Sequence, residues 1–193
     1  AIYQKISKAI SIDEPNYVNH VFLDFSDKKY NLVDIEELDQ DPRFKNKYGT
    51  ITTLDISKNS ISVLKLKGYM FLEKIKANEN SITKVELNLA KLTHLDLSMN
   101  SLTKLFELNS IPSIRELILN KNSITRISYE DFKPAKSSLR RLELENNKID
   151  FAAVKDFFEF FELFGKNMKF LKDLVIADNN FNSPQNVIYK DYN

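Results

Sequence analysis

His94, Asp96 and Ser98 are the residues of this chain whose types fit nucleophilic catalysis. A serine hydroxyl attacks when an imidazole takes its proton and a carboxylate orients that imidazole. The three alternate along LTHLDLS, and alternate residues of an extended strand project to one side. Residues two apart on one strand stand in a row, however. They do not converge on a reacting atom, whereas such a triad needs converging geometry and an oxyanion hole, usually supplied by a turn or a helix N-terminus. Other chemistry finds less support. The chain has no cysteine, so it offers no thiol nucleophile and no cysteine/histidine metal cluster, and His20 is its only other histidine. It has no glycine-rich phosphate loop and no EF-hand spacing. We expect no enzymatic activity, no catalytic residue, no cofactor and no metal.

The segment carrying His94 is one copy of an eleven-residue phrase. The phrase reads ITTLDISKNSI from Ile51, LEKIKANENSI from Leu72 and LTHLDLSMNSL from Leu92. It returns as IRELILNKNSI from Ile114, LRRLELENNKI from Leu139 and LKDLVIADNNF from Leu171. Each fits L-x-x-L-x-L-x-x-N-x-L. The asparagines are Asn59, Asn80, Asn100, Asn122, Asn147 and Asn179, spaced by 21, 20, 22, 25 and 32 residues. A period in this range signals a solenoid. In each phrase the apolar residues, such as Leu92, Leu95 and Leu97, turn into a core from one side of a short strand. No single repeat closes a core, so neighbours must stack. The asparagine sits where the strand ends. Its amide both donates and accepts, so stacked asparagines are expected to form a ladder pairing backbone groups of adjacent turns.

The phrase resembles the leucine-rich repeat, over about residues 51–181. A degenerate copy, HVFLDFSDKKY, precedes them, with Leu23, Phe25 and Tyr30 on apolar slots and Lys28 on the asparagine slot. The ladder is therefore expected to start at Asn59. From Asn100 to Ile114 the chain runs N-x-L-x-x-L-x-x-L-x-x-I-x-x-I, which resembles the short intracellular subtype of phosphatase-1 regulatory subunits and dynein-associated light chains. The other repeats depart from it. The resemblance implies an α/β leucine-rich repeat solenoid: a right-handed coil with a parallel sheet on its concave face and loops and short helices on its convex face.

The expected organisation is one domain over 1–193. Ile2, Ile6 and Ile10 recur with helical spacing, so residues 1–17 read as a helix capping the first repeat. Residues 18–50 hold the degenerate repeat and an insertion, in which DIEEL suggests a helical turn ended by Pro42. Residues 51–181 hold six repeats, with a helical insertion at 151–170. There VKDFFEFFELFG reads as a helix stopped by Gly165. At 100° per residue Val154, Phe157, Phe158, Phe161 and Phe164 share the expected core face. Phe160 and Leu163 flank that stripe and form a second-choice interface. The tail 182–193 is short and polar. It suggests a fragment of a longer protein, or an edge where something docks.

The concave face is the expected protein-binding site. One row across the strands reads Thr53, Lys74, His94, Glu116, Arg141, Asp173, and the next Asp55, Lys76, Asp96, Ile118, Glu143, Val175. Two further rows read Ser57, Asn78, Ser98, Asn120, Glu145, Ala177 and Lys58, Glu79, Met99, Lys121, Asn146, Asp178. These rows carry eight acids and five bases, so the face is slightly acidic although the chain is +1. Met99, Ile118 and Val175 are apolar where a solvated sheet prefers polar residues. An apolar centre with a charged rim is the anatomy of a protein interface.

These readings favour a non-enzymatic scaffold or regulatory subunit with a protein partner. The first alternative is RNA association. LDQDPRFKNKY resembles the stretch that begins the repeat domain of nuclear RNA export factors, but an acidic face disfavours a nucleic-acid partner. The second is a receptor-type ectodomain. The lack of cysteine, and of any N-x-Ser/Thr sequon among twenty asparagines, argues instead for cytoplasm or nucleus. No stretch is long and apolar enough for a membrane span.

Overall fold

The structure is a computed structural model that describes residues 21–27, 29, 50–181 and 189–190. The helix expected over 1–17, the insertion at 31–49 and most of the tail lie outside these residues, as do Lys28 and Tyr30.

The strands are β1 (Val21–Asp24), β2 (Ile51–Asp55), β3 (Val63–Lys67), β4 (Lys74–Lys76) and β5 (Lys84–Asn88). They continue with β6 (His94–Asp96), β7 (Glu116–Ile118), β8 (Arg141–Glu143), β9 (Asp173–Val175) and β10 (Tyr189–Lys190). Eight of them form one sheet in the order β1-β2-β4-β6-β7-β8-β9-β10. Each phrase contributes one strand, so neighbours run parallel from β1 to β9. The final strand, β10, pairs antiparallel with β9. In each short strand the central residue faces inward: Ile75, Leu95, Leu117, Leu142 and Leu174 are all buried. They stack with Leu92, Leu97, Ile114, Leu119, Leu139 and Leu144 in one continuous core.

The asparagine ladder is present from Asn59 to Asn179. Asn100 shows the pattern. Its amide donates to the carbonyls of Leu97 (3.0 Å) and Ser98 (3.2 Å) in its own turn and of Ala77 (2.9 Å) in the turn before. Its side-chain oxygen accepts from the Ile82 N–H at 2.8 Å. Asn80, Asn122, Asn147 and Asn179 repeat this fourfold set one turn at a time. Asn59 reaches back to the Phe25 carbonyl at 2.9 Å, which ties the degenerate repeat into the coil.

The residue before each asparagine carries a conformation that the sequence did not announce. Lys58, Glu79, Met99, Lys121, Asn146 and Asp178 all have φ between 52° and 56°. Asp27 takes the same place in the degenerate repeat, with φ 53°. This left-handed bend ends the strand while the bent residue's N–H still bonds the next turn, as Met99 does to the Asn120 carbonyl at 2.9 Å. The conformation is costly for any residue with a Cβ and worst for a branched one. Met99→Val should therefore lower stability by about 1–2 kcal/mol, while Met99→Gly leaves it level or raises it. The urea unfolding midpoints of the two variants would show this ordering.

Opposite the long sheet the first two repeats are β rather than loop or helix. Strands β3 and β5 pair parallel over five residues. The alternation in VLKLK and KVELN places Leu64, Leu66 and Leu87 in the core and lysines outside. Later repeats use short 3-10 turns at Leu108–Ser110 and Lys133–Ala135 and two helices. Helix α1 (Tyr129–Phe132) starts in a capping box, where the Ser128 hydroxyl and N–H both donate to the Asp131 carboxylate. Helix α2 spans Val154–Asn167.

Two expectations for α2 are corrected. The helix runs through Gly165 to Asn167 and caps at Met168, so the glycine does not stop it. Its inward face is also rotated. Phe160 is 3% exposed and sits between Phe132 and Phe164, with ring centroids at 6.5 and 5.0 Å. Val154 and Phe158, expected in the core, are 71% and 64% exposed. Phe160 is thus core rather than interface, and Leu163 is half-buried. The partner that sets the rotation is Phe132 of α1, whose ring meets Phe164 edge-on at 5.4 Å.

Candidate functional site: the open face of the long sheet

The strand pairing sets the open-face rows. Thr53, Lys74, His94, Glu116, Arg141 and Asp173 are successive partners across the sheet. Asp55, Lys76, Asp96, Ile118, Glu143 and Val175 form the adjacent row by the same pairing. Phe22 pairs with Thr53 and extends the first row. More than half its surface is exposed, and reading the rows from the first full repeat missed it. The degenerate phrase HVFLDF holds the signal, since Phe22 stands there just before an apolar slot.

The His94, Asp96 and Ser98 set does not form a relay. The Ser98 hydroxyl and N–H both donate to Asp96 Oδ1, at 2.7 and 2.9 Å. The same turn recurs at Asp55 and Ser57, where the hydroxyl and N–H bonds are 2.7 and 3.0 Å. At Asp24 the Ser26 N–H makes it at 2.8 Å. The Asp-x-Ser pair is therefore a strand-ending turn that recurs along the coil. His94 looks elsewhere, with Nδ1 2.7 Å from the Thr93 hydroxyl and Nε2 3.4 Å from Glu116. Among the described residues no group of three or more His, Asp or Glu side chains is arranged to hold a metal. No helix of the described residues is long and apolar enough to cross a membrane.

The strongest polar cluster lies on β7 and β8. Glu143 is 9% exposed. Arg141 donates to it through Nε at 2.6 Å and approaches it closely through a terminal nitrogen. The Asn120 amide donates to its other oxygen, and the Asn120 oxygen accepts from the Glu145 N–H at 2.8 Å. The bond to Glu143 holds the Arg141 guanidinium above its usual pKa. A carboxylate so enclosed is a structural member of the face, and reversing its charge would set a second cation against Arg141 with no carboxylate between them. The other ion pairs of this face are looser: Lys76 lies 3.9 Å from Asp55 with most of its side chain in solvent, and His94 lies 3.4 Å from Glu116. Exposed pairs of this kind add little stability.

Among the apolar positions, Met99 is 46% exposed, while Ile118 and Val175 are half-buried in the second row. Met99 stands at the left-handed bend beyond β6, at the edge of the face rather than on the flat of the sheet. Lys74 is exposed beside Lys76, Asp173 is half-buried, and Arg141 leaves 45% of its side chain in solvent. The two strand rows read from the sequence thus lie on one side of the sheet, with Glu143 enclosed there and Met99 at its edge, whereas Ser57 and Ala177 of the further rows are buried.

A family model described as Leucine Rich Repeat matches residues 91–111, the turn that holds β6 and Asn100. No curated protein matches the chain. Among solved structures, an internalin (inlF) from Listeria monocytogenes is similar with a TM-score of 0.53 and 18% identity. The match covers 75% of this chain and 46% of that one. The structure of a TLR13–ssRNA13 complex is similar with a TM-score of 0.58 and 20% identity, over 78% of this chain and 24% of that one. This chain therefore spans less than half the length of either neighbour. At such identities the likeness is one of fold. The architecture is an α/β leucine-rich repeat solenoid whose long parallel sheet lines the concave side.

Proposed function

We propose that this chain is a non-enzymatic repeat domain that binds a protein partner on its concave face. One observation carries the reading: Ile118 and Val175 interrupt a charged row that the sheet holds in fixed register, and half-exposed Met99 stands at its edge. Apolar contacts supply binding energy and the surrounding charges select the partner. A parallel sheet stacked on a continuous core presents these groups with little freedom to lose on binding. The match of Asn100–Ile114 to the short-repeat pattern supports an intracellular scaffold or regulatory role. The test uses substitutions that spare the fold. Lys74→Glu changes an exposed charge, and Met99→Asn keeps a residue that tolerates the left-handed bend. Proteins captured from lysate by the wild-type chain should be lost by the double variant, while both melt together. Undiminished capture by the folded variant would place the interface elsewhere.

RNA binding is the second reading, favoured by one neighbour of the fold being in complex with ssRNA13. It requires retention of single-stranded RNA that weakens steeply as salt rises. The mixed charge of the face speaks for the protein partner.

A further inference from the structure

Helix α2 carries an apolar stripe that the concave-face reading leaves unused. Val154 and Phe158 are exposed, and Phe161, half-buried, follows at the next turn. Gly165 lies one turn further on, exposed, inside the helix rather than at its end. A glycine there weakens the helix and removes the side chain that would hold a neighbour away. Beside the stripe stand Lys155 and Glu162, both exposed, and no ion pair joins either to another described residue.

These features complement one another when the helix meets itself. Lys155 lies three residues before Phe158 and Glu162 four after it. If two copies cross antiparallel with Phe158 on the two-fold axis, each Lys155 faces the other copy's Glu162. The Phe158 rings then meet at the axis. A two-fold contact must be complementary to itself in this way. We propose that α2 is a homodimer contact, formed by antiparallel apposition of the Val154–Phe158–Phe161 stripe of two chains. One helix from each copy buries well under about 1,200 Å², the range of weak and transient interfaces. The dimer therefore belongs to high local concentration.

Sedimentation equilibrium of the full chain, from about 5 to 500 µM, tests this over the range where such contacts form. The wild-type chain should pass from monomer toward dimer. Phe158→Asp should stay monomeric throughout with an unchanged melt. Lys155→Glu should weaken association roughly threefold to tenfold, and adding Glu162→Lys should restore it. A wild-type chain monomeric at every concentration overturns the proposal and leaves the stripe to a different partner. Full dimerisation of Phe158→Asp overturns it too, as does a double charge variant no better than Lys155→Glu alone. If Phe158→Asp fails to fold, Val154→Asp and the charge pair interrogate the same contact.

Discussion

Asn100→Leu should destabilise the chain by about 3 kcal/mol and lower its melting temperature by roughly 6–12 °C. The bonds decide where the cost falls. The Ala77 carbonyl keeps its bond from Asn80, the Leu97 carbonyl its bond from Asn122, and the Ser98 carbonyl its bond from the Glu79 N–H. Those acceptors are weakened rather than orphaned. The Ile82 N–H loses the side-chain oxygen it bonds, and an orphaned donor carries the larger penalty. Asn100→Asp separates the two parts. It keeps an acceptor for Ile82 but turns a carboxylate toward three carbonyl oxygens, so it should cost more than the leucine. The same substitution at Asn122 or Asn147, both buried, should cost more than at half-exposed Asn59. Thermal melts of these variants would check the order. Equal costs at every position would mean that the asparagines act only as turn formers.

Phe160→Ala should cost about 3–5 kcal/mol, whereas Phe158→Ala should fall within about 0.5 kcal/mol of the parent. Phe160 fills the space between α1 and α2, with Phe132, Phe151, Phe161 and Phe164 around it. Truncation would leave a cavity walled by four rings. Phe158 touches Phe157 at 5.5 Å and otherwise faces solvent. Chemical denaturation of the two variants at low chain concentration gives the comparison. Equal losses would contradict the observed rotation of α2.

The long sheet was legible because its period is redundant. Six asparagines in register place six of its eight strands, and the alternation within each phrase then separates core from solvent positions. The rows through Lys74 and Lys76 follow without tertiary information. The rotation of α2 was not legible. Five phenylalanines lie among positions 157–164, so the helix is apolar around most of its girth. Its own pattern cannot choose between Phe158 and Phe160. The choice is made by Phe132, more than twenty residues away in sequence. The β3–β5 sheet was readable in principle, since VLKLK and KVELN alternate with period two. The family expectation of loops and short helices on that side hid it. The left-handed bends were beyond local reading, because Lys, Glu, Met, Asn and Asp share no preference strong enough to announce one. They come from the need to end a strand while still bonding the next turn.

The ladder also gives the molecule a mechanical character. From Asn80 to Asn179 the asparagines bond their own turn and the one before it, and each described strand pairs with its neighbours. A load drawn along the coil therefore meets a series of latches rather than one clasp. Turns would unlatch singly, each paying out 20 to 32 residues of slack. The coil is thus a spring that can yield in steps and rewind onto the turn that remains.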